Sequence, residues 1–208
     1  MINQLARKAT SPVRLAALLA ATVLLVLLSP SEQTLGGLVK VIYVHGAMVR
    51  VAEVAFLAAG ALGVLYLVKE NGFAFRWSAA LQKTAFMYWL ISFLVSLYAM
   101  QVAWGGIDPA VPRFISTGRI LAIAAVAIAV TYIWENPNAV AASSIILAAV
   151  VIFQTATAGF VLHPTDAIGG SPSLITKAAY YAIVVLFAAL AMETARLLLP
   201  GGRRPGAV

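Results

Sequence analysis

Long apolar runs separated by short polar connections make up most of this chain. Six such runs occupy residues 14–29, 38–68, 80–103, 114–134, 139–162 and 174–199, and all nine prolines lie outside them. The runs lack the alternating pattern of barrel strands, and a helix crosses the hydrocarbon core with about 20 apolar residues. The pattern therefore predicts an all-α, polytopic membrane protein, in which a bundle of six transmembrane helices forms a single integral membrane domain over residues 1–208.

The composition excludes other classes of protein. Hydrophobic residues make up 62% of the chain and charged residues 10%, whereas a soluble domain is about half apolar and about a quarter charged. The absence of cysteine excludes disulfides, iron–sulfur clusters and haem attached through thioethers. The net charge is +7, but the basic residues are spread over the ends of the runs. We therefore expect the lipid bilayer, and no nucleic acid, as a partner.

The first run has two interpretations. Arg7, Lys8 and Arg14 precede its apolar core, as they would in a signal peptide. Residues 27–31, however, offer no cleavage site of the small-x-small kind. We therefore expect the run 14–29 to be retained as a first transmembrane helix.

The distribution of lysine and arginine predicts the orientation in the membrane. With a cytoplasmic N-terminus, the cytoplasmic side holds nine basic residues: Arg7, Lys8, Arg14, Lys69, Arg76, Lys83, Arg196, Arg203 and Arg204. The outer side holds four, Lys40, Arg113, Arg119 and Lys177, and Arg50 lies inside a run. Because cytoplasmic loops carry the excess of Lys and Arg, we predict a multi-pass cell-membrane protein with both termini in the cytoplasm.

The two histidines are the strongest candidates for chemistry. His45 lies about 10 Å into the second run, which leads from outside to inside, and His163 ends the fifth run just before Pro164. This topology places both imidazoles near the outer face, at similar depth. Two neutral imidazoles on different helices suit axial ligation of one haem iron, so we predict haem b as cofactor and His45 and His163 as its metal ligands. Zinc is less favoured because no third ligand is evident.

The surroundings of the histidines suit the same ligand. Met48, Ala52 and Phe56 follow His45 at helical spacing, as a mixture of small and aromatic residues. Arg113 and Arg119 lie at the outer face, where they could bind the anionic propionates of haem. The alternatives stay open: an interfacial histidine can be a plain polar residue near headgroups, small residues often mark helix packing, and outer cations often bind lipid phosphate.

Two pairs of opposite charge have a spacing of three residues. Arg50 and Glu53 can pair within the second run, either as a structural pair or as a contact for a propionate or a proton. Glu193 and Arg196 repeat the spacing near the end of the last run, where we expect a structural pair. Gln154 lies about 180° around its helix from His163, so we do not expect it at the same site.

Several motifs resemble the haem-handling CcmC proteins of the cytochrome c assembly superfamily (CcmC/CcmF/CcsA). Residues 40–45, Lys-Val-Ile-Tyr-Val-His, resemble the apolar-Tyr-apolar-His motif that carries one haem-ligating histidine in that family, and Leu162-His163 resembles the second. Residues 103–106, with Trp104, and residues 112–117, with Arg113, occupy the place of the family's Trp-rich outer loop and the Arg-containing stretch that follows. The resemblance implies six helices, a haem at the outer face and Trp104 and Arg113 among the cofactor-binding residues. Arg119 joins this predicted set because of its place at the outer face.

The sequence also departs from the family. The Trp-rich loop is reduced to Trp104, with Asp108 nearby, and Gly46 follows His45 where the family has valine. These changes affect the surface that hands haem on more than they affect the ligands.

Three functions therefore remain. The first is haem handling and delivery in cytochrome c maturation, with other membrane subunits and an outer-face haem acceptor or redox partner. The second is a haem b subunit of a respiratory electron-transfer complex, and the third is a structural membrane subunit without cofactor. No G-x-x-x-x-G-K nucleotide motif occurs, and we expect a binding protein rather than an enzyme.

Overall fold

The computed structural model describes residues 12–31, 35–159, 168 and 171–199. Within them the chain forms six α-helices, which we number in chain order. They are α1 (Pro12–Leu28), α2 (Val39–Lys69), α3 (Gly72–Trp104), α4 (Pro112–Trp134), α5 (Pro137–Thr157) and α6 (Leu174–Leu198). The all-helical architecture is therefore confirmed for the described residues.

Five of the described helices, α2 to α6, are long and apolar enough to cross a membrane. Helix α1 is equally apolar but has only 17 residues, which is at the lower limit for a span. Several apolar helices in one bundle identify the chain as a candidate multi-pass membrane protein.

Contacts between helix ends show that successive helices alternate in direction. His45 near the start of α2 contacts Ser92 near the end of α3, and Arg113 at the start of α4 contacts Thr155 at the end of α5. At the other end, Arg14 at the start of α1 meets Glu193 at the end of α6. We call the end that contains His45 the histidine end. It contains the starts of α2, α4 and α6 and the ends of α1, α3 and α5. We call the other end the opposite end.

The connection between α2 and α3 is shorter than the hydropathy pattern predicts. Helix α3 begins at Gly72 rather than at residue 80, so the predicted connection 69–79 was wrong for most of its length. Glu70 closes α2 in the left-handed conformation with φ 49°, and the side chain of Asn71 accepts hydrogen bonds from the backbone N–H of Phe73 and Ala74. Caps of this kind end and start helices regardless of hydropathy. The hydropathy pattern, by contrast, marks only the apolar portion of a helix.

The predicted fifth helix also has a different end. Helix α5 stops at Thr157, and Ala158 is extended, whereas the pattern predicted helix as far as residue 162. Residues 160–162 lie outside the described residues.

Helix α2 occupies the centre of the bundle and packs against α3, α5 and α6. Two glycines of α2 approach α5 closely. A Cβ atom on Gly60 would lie 2.6 Å from the Cβ of Ala148, and one on Gly63 would lie 2.7 Å from the backbone oxygen of Ala141. Both distances are shorter than a Cβ atom tolerates, so this contact requires glycine at both positions. Small residues serve membrane helices in the same way, because they let two backbones approach.

Buried polar side chains reinforce the same half of the bundle. Ser78 of α3 donates to the carbonyl of Ala59 in α2 at 2.8 Å, and the Gln82 amide donates to Ser143 of α5 at 2.9 Å. These hydrogen bonds tie α3 to α2 and to α5 at buried positions, where an unmade hydrogen bond is expensive.

Candidate functional site

A half-open cavity of about 90 Å³ lies at the histidine end, between α2, α3 and the start of α4. Its walls are mostly apolar, and three of the five predicted site residues line it: His45, Trp104 and Arg113. The other lining residues are Ile42, Ser96, Ala99, Met100, Val111, Phe114 and Thr117. Three residues that were predicted from the sequence therefore lie at one cavity, although they belong to three different helices.

Hydrogen bonds to Ser92 hold the imidazole of His45. Its Nδ1 lies 3.1 Å from the Ser92 carbonyl oxygen and 3.0 Å from the Ser92 hydroxyl. The same hydroxyl lies 3.3 Å from the His45 carbonyl oxygen, to which it donates. Ser92 is 1% exposed, so these bonds form inside the α2–α3 contact. They fix the ring at the edge of the cavity.

Trp104 and Arg113 reach the cavity from the two helices that flank a short connection. Trp104 is the last residue of α3 and is 39% exposed. Gly105 follows it in the left-handed conformation, with φ 75°, which ends the helix and which glycine adopts without strain. Arg113 donates from Nη1 to the carbonyl of Thr155 at 3.1 Å, which joins the start of α4 to the end of α5.

Asp108 has a local role in the connection between α3 and α4. Its carboxylate accepts a hydrogen bond from the backbone N–H of Ala110 at 2.9 Å, as in an Asx turn. A separate contact joins the two helices, because the indole of Trp89 in α3 donates to the carbonyl of Thr117 in α4 at 3.1 Å. This contact holds the first turns of α4 against α3 beside the cavity, which Thr117 lines.

Two residues of the site were missed by sequence reasoning. Ser92 holds His45, and Met100 contributes a buried thioether to the cavity wall. Neither stands out in the sequence, because a serine or a methionine in an apolar helix is usually a packing residue. Their roles depend on where the fold places them relative to His45.

Other predicted features are not brought to the cavity. Arg119 is exposed and does not line it. Ala52 and Phe56, which we expected beneath the haem, are buried in the core, where the Phe56 ring packs against Trp89 with centroids 6.2 Å apart. Met48 is in the same core. His163 lies outside the described residues.

The pair within the second run forms as predicted. Arg50 Nη1 lies 3.4 Å from a Glu53 carboxylate oxygen, with the side chains 70% and 20% exposed. At the opposite end the Glu193–Arg196 pair also forms, and Arg14 is a third member that the sequence did not reveal.

The donors around the cavity fit one edge of a haem. An imidazole and a thioether are both known axial ligands, and a guanidinium suits a propionate. Among the residues that the structure describes, no three His, Asp or Glu side chains are grouped to hold a bare metal ion. A volume of about 90 Å³ is well below the roughly 300–1,000 Å³ of ordinary small-molecule sites. The cavity is therefore too small to enclose a whole haem, and only an edge of such a ligand fits within it.

Comparisons with family models, with curated proteins and with solved structures find no match for this chain.

Proposed function

We propose that the chain crosses the membrane six times, with the histidine end outside and both termini in the cytoplasm. The charges of the described helices support this orientation. The opposite end holds five basic residues, Arg14, Lys69, Arg76, Lys83 and Arg196, and Arg7, Lys8, Arg203 and Arg204 adjoin it in sequence. The histidine end holds Lys40, Arg113, Arg119 and Lys177. The excess at the opposite end is that of a cytoplasmic face.

Single cysteines test the orientation directly, because the natural chain has none. Ile107→Cys lies in the α3–α4 connection and Lys69→Cys at the end of α2, and both positions are exposed. In intact cells, an impermeant thiol reagent should label the cysteine at 107 and not the one at 69. Labelling of both, or only of 69, contradicts the proposal.

The proposed ligand of the histidine end is haem b, with His45 and His163 as axial ligands. One observation carries this proposal: an imidazole anchored through Nδ1 on Ser92 stands at a cavity that Trp104 and Arg113 also line. His163 belongs to the connection between α5 and α6, and the ends of that connection, Thr157 and Leu174, are both at the histidine end. From this topology we propose His163 as the second ligand.

Each residue has a distinct part in holding such a ligand. A bound haem would supply an iron that binds nitrogen donors and can change oxidation state. His45 provides a donor, and Trp104 offers a ring face at the open side. Arg113, which lines the cavity, would bind a propionate through its guanidinium.

We assign this site to haem handling and delivery in cytochrome c maturation. The half-open cavity supports this assignment, because a ligand that is only partly enclosed at an outer face is accessible to an acceptor. Other membrane subunits and an outer-face acceptor are the proposed partners.

A haem b subunit of an electron-transfer complex is the second candidate. It is favoured by the connection after Trp104, in which Gly105 and Gly106 have no side chains and Asp108 is engaged in its own turn. A connection of this kind offers little surface for handing haem to a partner.

The decisive experiment is haem titration of the detergent-purified protein, followed by absorbance. We expect a b-type spectrum that is lost in His45→Ala and His163→Ala and retained in Gln154→Ala. Transfer to a haem-free cytochrome acceptor then supports haem handling, and reduction by quinol supports the electron-transfer subunit. Unchanged absorbance in both histidine variants, or no binding by the natural chain, rejects the haem site in favour of a structural subunit.

A further inference from the structure

We propose that Ser92 is a positioning residue that holds His45 as the Nδ1–H tautomer and thereby makes Nε2 the nitrogen that binds iron. The claim that Nε2 binds iron rests on the proposed haem site. The claim that Ser92 sets the tautomer concerns the protein alone and can be tested without haem.

The tautomer follows from the chemistry of the partner atom. A backbone carbonyl oxygen can only accept a hydrogen bond, and the Ser92 carbonyl lies 3.1 Å from Nδ1. Nδ1 must therefore carry the proton. In a neutral imidazole with a protonated Nδ1, the lone pair is on Nε2.

The hydroxyl of Ser92 completes the arrangement. Its oxygen lies 3.0 Å from Nδ1 and 3.3 Å from the His45 carbonyl oxygen. The carbonyl accepts the hydroxyl proton, so the oxygen lone pairs face Nδ1–H and accept from it. His45 and Ser92 are thus joined by reciprocal hydrogen bonds, in which each residue gives one proton and receives one.

Burial makes this arrangement rigid. Ser92 is 1% exposed and lies where α2 and α3 pack along their length. Water cannot readily replace the serine as acceptor, and the ring cannot turn over without losing both bonds. Ligating histidines typically donate their second nitrogen to a fixed acceptor of this kind, which orients the ring and raises its basicity.

Ser96 provides a matched control. It lies one helical turn further along α3 and lines the same cavity, but its hydroxyl donates to the carbonyl of Phe93 at 2.7 Å. A change at Ser96 alters the cavity surface without removing the His45–Ser92 hydrogen bonds. Ser92→Thr is the conservative rescue, because threonine retains the hydroxyl.

The haem arm of the test compares the affinity for haem and the reduction potential of Ser92→Ala, Ser92→Thr and Ser96→Ala. Loss of such a supporting residue lowers affinity by roughly 10–100-fold. We expect the lower part of that range for Ser92→Ala, since the carbonyl acceptor remains, together with a shifted potential. Ser92→Thr and Ser96→Ala should behave as the natural chain does. Equal affinity and potential in Ser92→Ala, or an equal loss in Ser92→Thr, overturns the positioning role.

The second arm uses nitrogen NMR of the haem-free protein labelled at histidine. Comparison with His45→Gln assigns the resonances of His45. We expect a protonated Nδ1 and an unprotonated Nε2 for the neutral ring. A protonated Nε2 overturns the inference whether or not haem binds. If the natural chain binds no haem but shows the Nδ1–H tautomer, the proposed function fails while the part assigned to Ser92 in setting the tautomer stands.

Discussion

The two halves of this bundle use the same helices for different purposes. Towards the opposite end, Gly60 and Gly63 bring α2 against α5, and Gln82 joins α3 to α5 through Ser143. At the histidine end, α2, α3 and the start of α4 enclose a cavity beside His45. Helices that touch through glycine leave no volume for a ligand, whereas these three helices leave a space between them. One half therefore supplies stability, and the other supplies the site.

The largest effect should follow from a change at the glycine contact. Gly60→Leu forces a side chain into a space where even a Cβ atom would lie 2.6 Å from Ala148. Overpacking of this kind costs about 3 kcal/mol, which thermal unfolding in detergent would measure. Gly118→Ala is the control, since a Cβ atom there meets nothing within 4 Å. A Gly60→Leu variant as stable as the control would show that α2 and α5 do not pack this closely.

The next effect belongs to the histidine end and should leave stability nearly unchanged. His45→Ala is expected to lower haem affinity by about 100-fold or more, since it removes a ligand rather than a support for one. The free energy of unfolding should change by only about 1 kcal/mol, the worth of the lost hydrogen bonds to Ser92. Haem titration and thermal unfolding of the same sample test both parts. A loss of stability without a loss of haem would reverse the roles assigned to the two halves.

A smaller effect is expected at the ion pairs. Glu193 is buried and meets both Arg14 and Arg196, so Glu193→Ala leaves two cations without that partner. Because both arginines are partly exposed, we expect a loss of about 1–2 kcal/mol rather than the 3–5 kcal/mol of a fully buried pair. Glu53→Ala breaks a more exposed pair and should cost less than about 1 kcal/mol. Equal losses would mean that burial does not distinguish the two pairs.

The smallest effect concerns the rim of the cavity. Arg113→Ala should weaken haem binding a few-fold, because an exposed guanidinium contributes about 1 kcal/mol or less to a charged contact. The weakening should fade as salt is added, since ions screen exposed charges. Arg119→Ala is the control at an exposed site outside the cavity lining. A similar loss in both variants would indicate general attraction of haem to a basic surface.

The helices could be predicted well from the sequence, because an apolar run indicates directly which residues avoid water. It also placed His45, Trp104 and Arg113 together, because the topology and charge of the runs determine which ends meet. Arg119 could have been excluded from the cavity, since six residues turn a helix by about 600° and place it about 120° away from Arg113. Ser92 and Met100 could not have been found, because their roles depend on which residue of a neighbouring helix lies opposite.

The start of α3 was missed for a related reason. Hydropathy distinguishes lipid from water, whereas the first turn of α3 depends on a single cap at Asn71. Basic residues such as Arg76 and Lys83 then continue the helix, since their long side chains extend towards polar surroundings.

The short turn at Glu70–Asn71 has a consequence for the fit between protein and bilayer. Helices α2 and α3 have 31 and 33 residues, which makes them about 46 and 50 Å long. The hydrocarbon layer is about 30 Å thick, and tilts of up to about 40° do not absorb the difference. In the proposed membrane arrangement, the hairpin therefore extends beyond the hydrocarbon layer on at least one side. Where the excess emerges at the histidine end, a thicker host membrane would bring lipid tails up towards Ile42, and a thinner one would leave the mouth of the cavity in water.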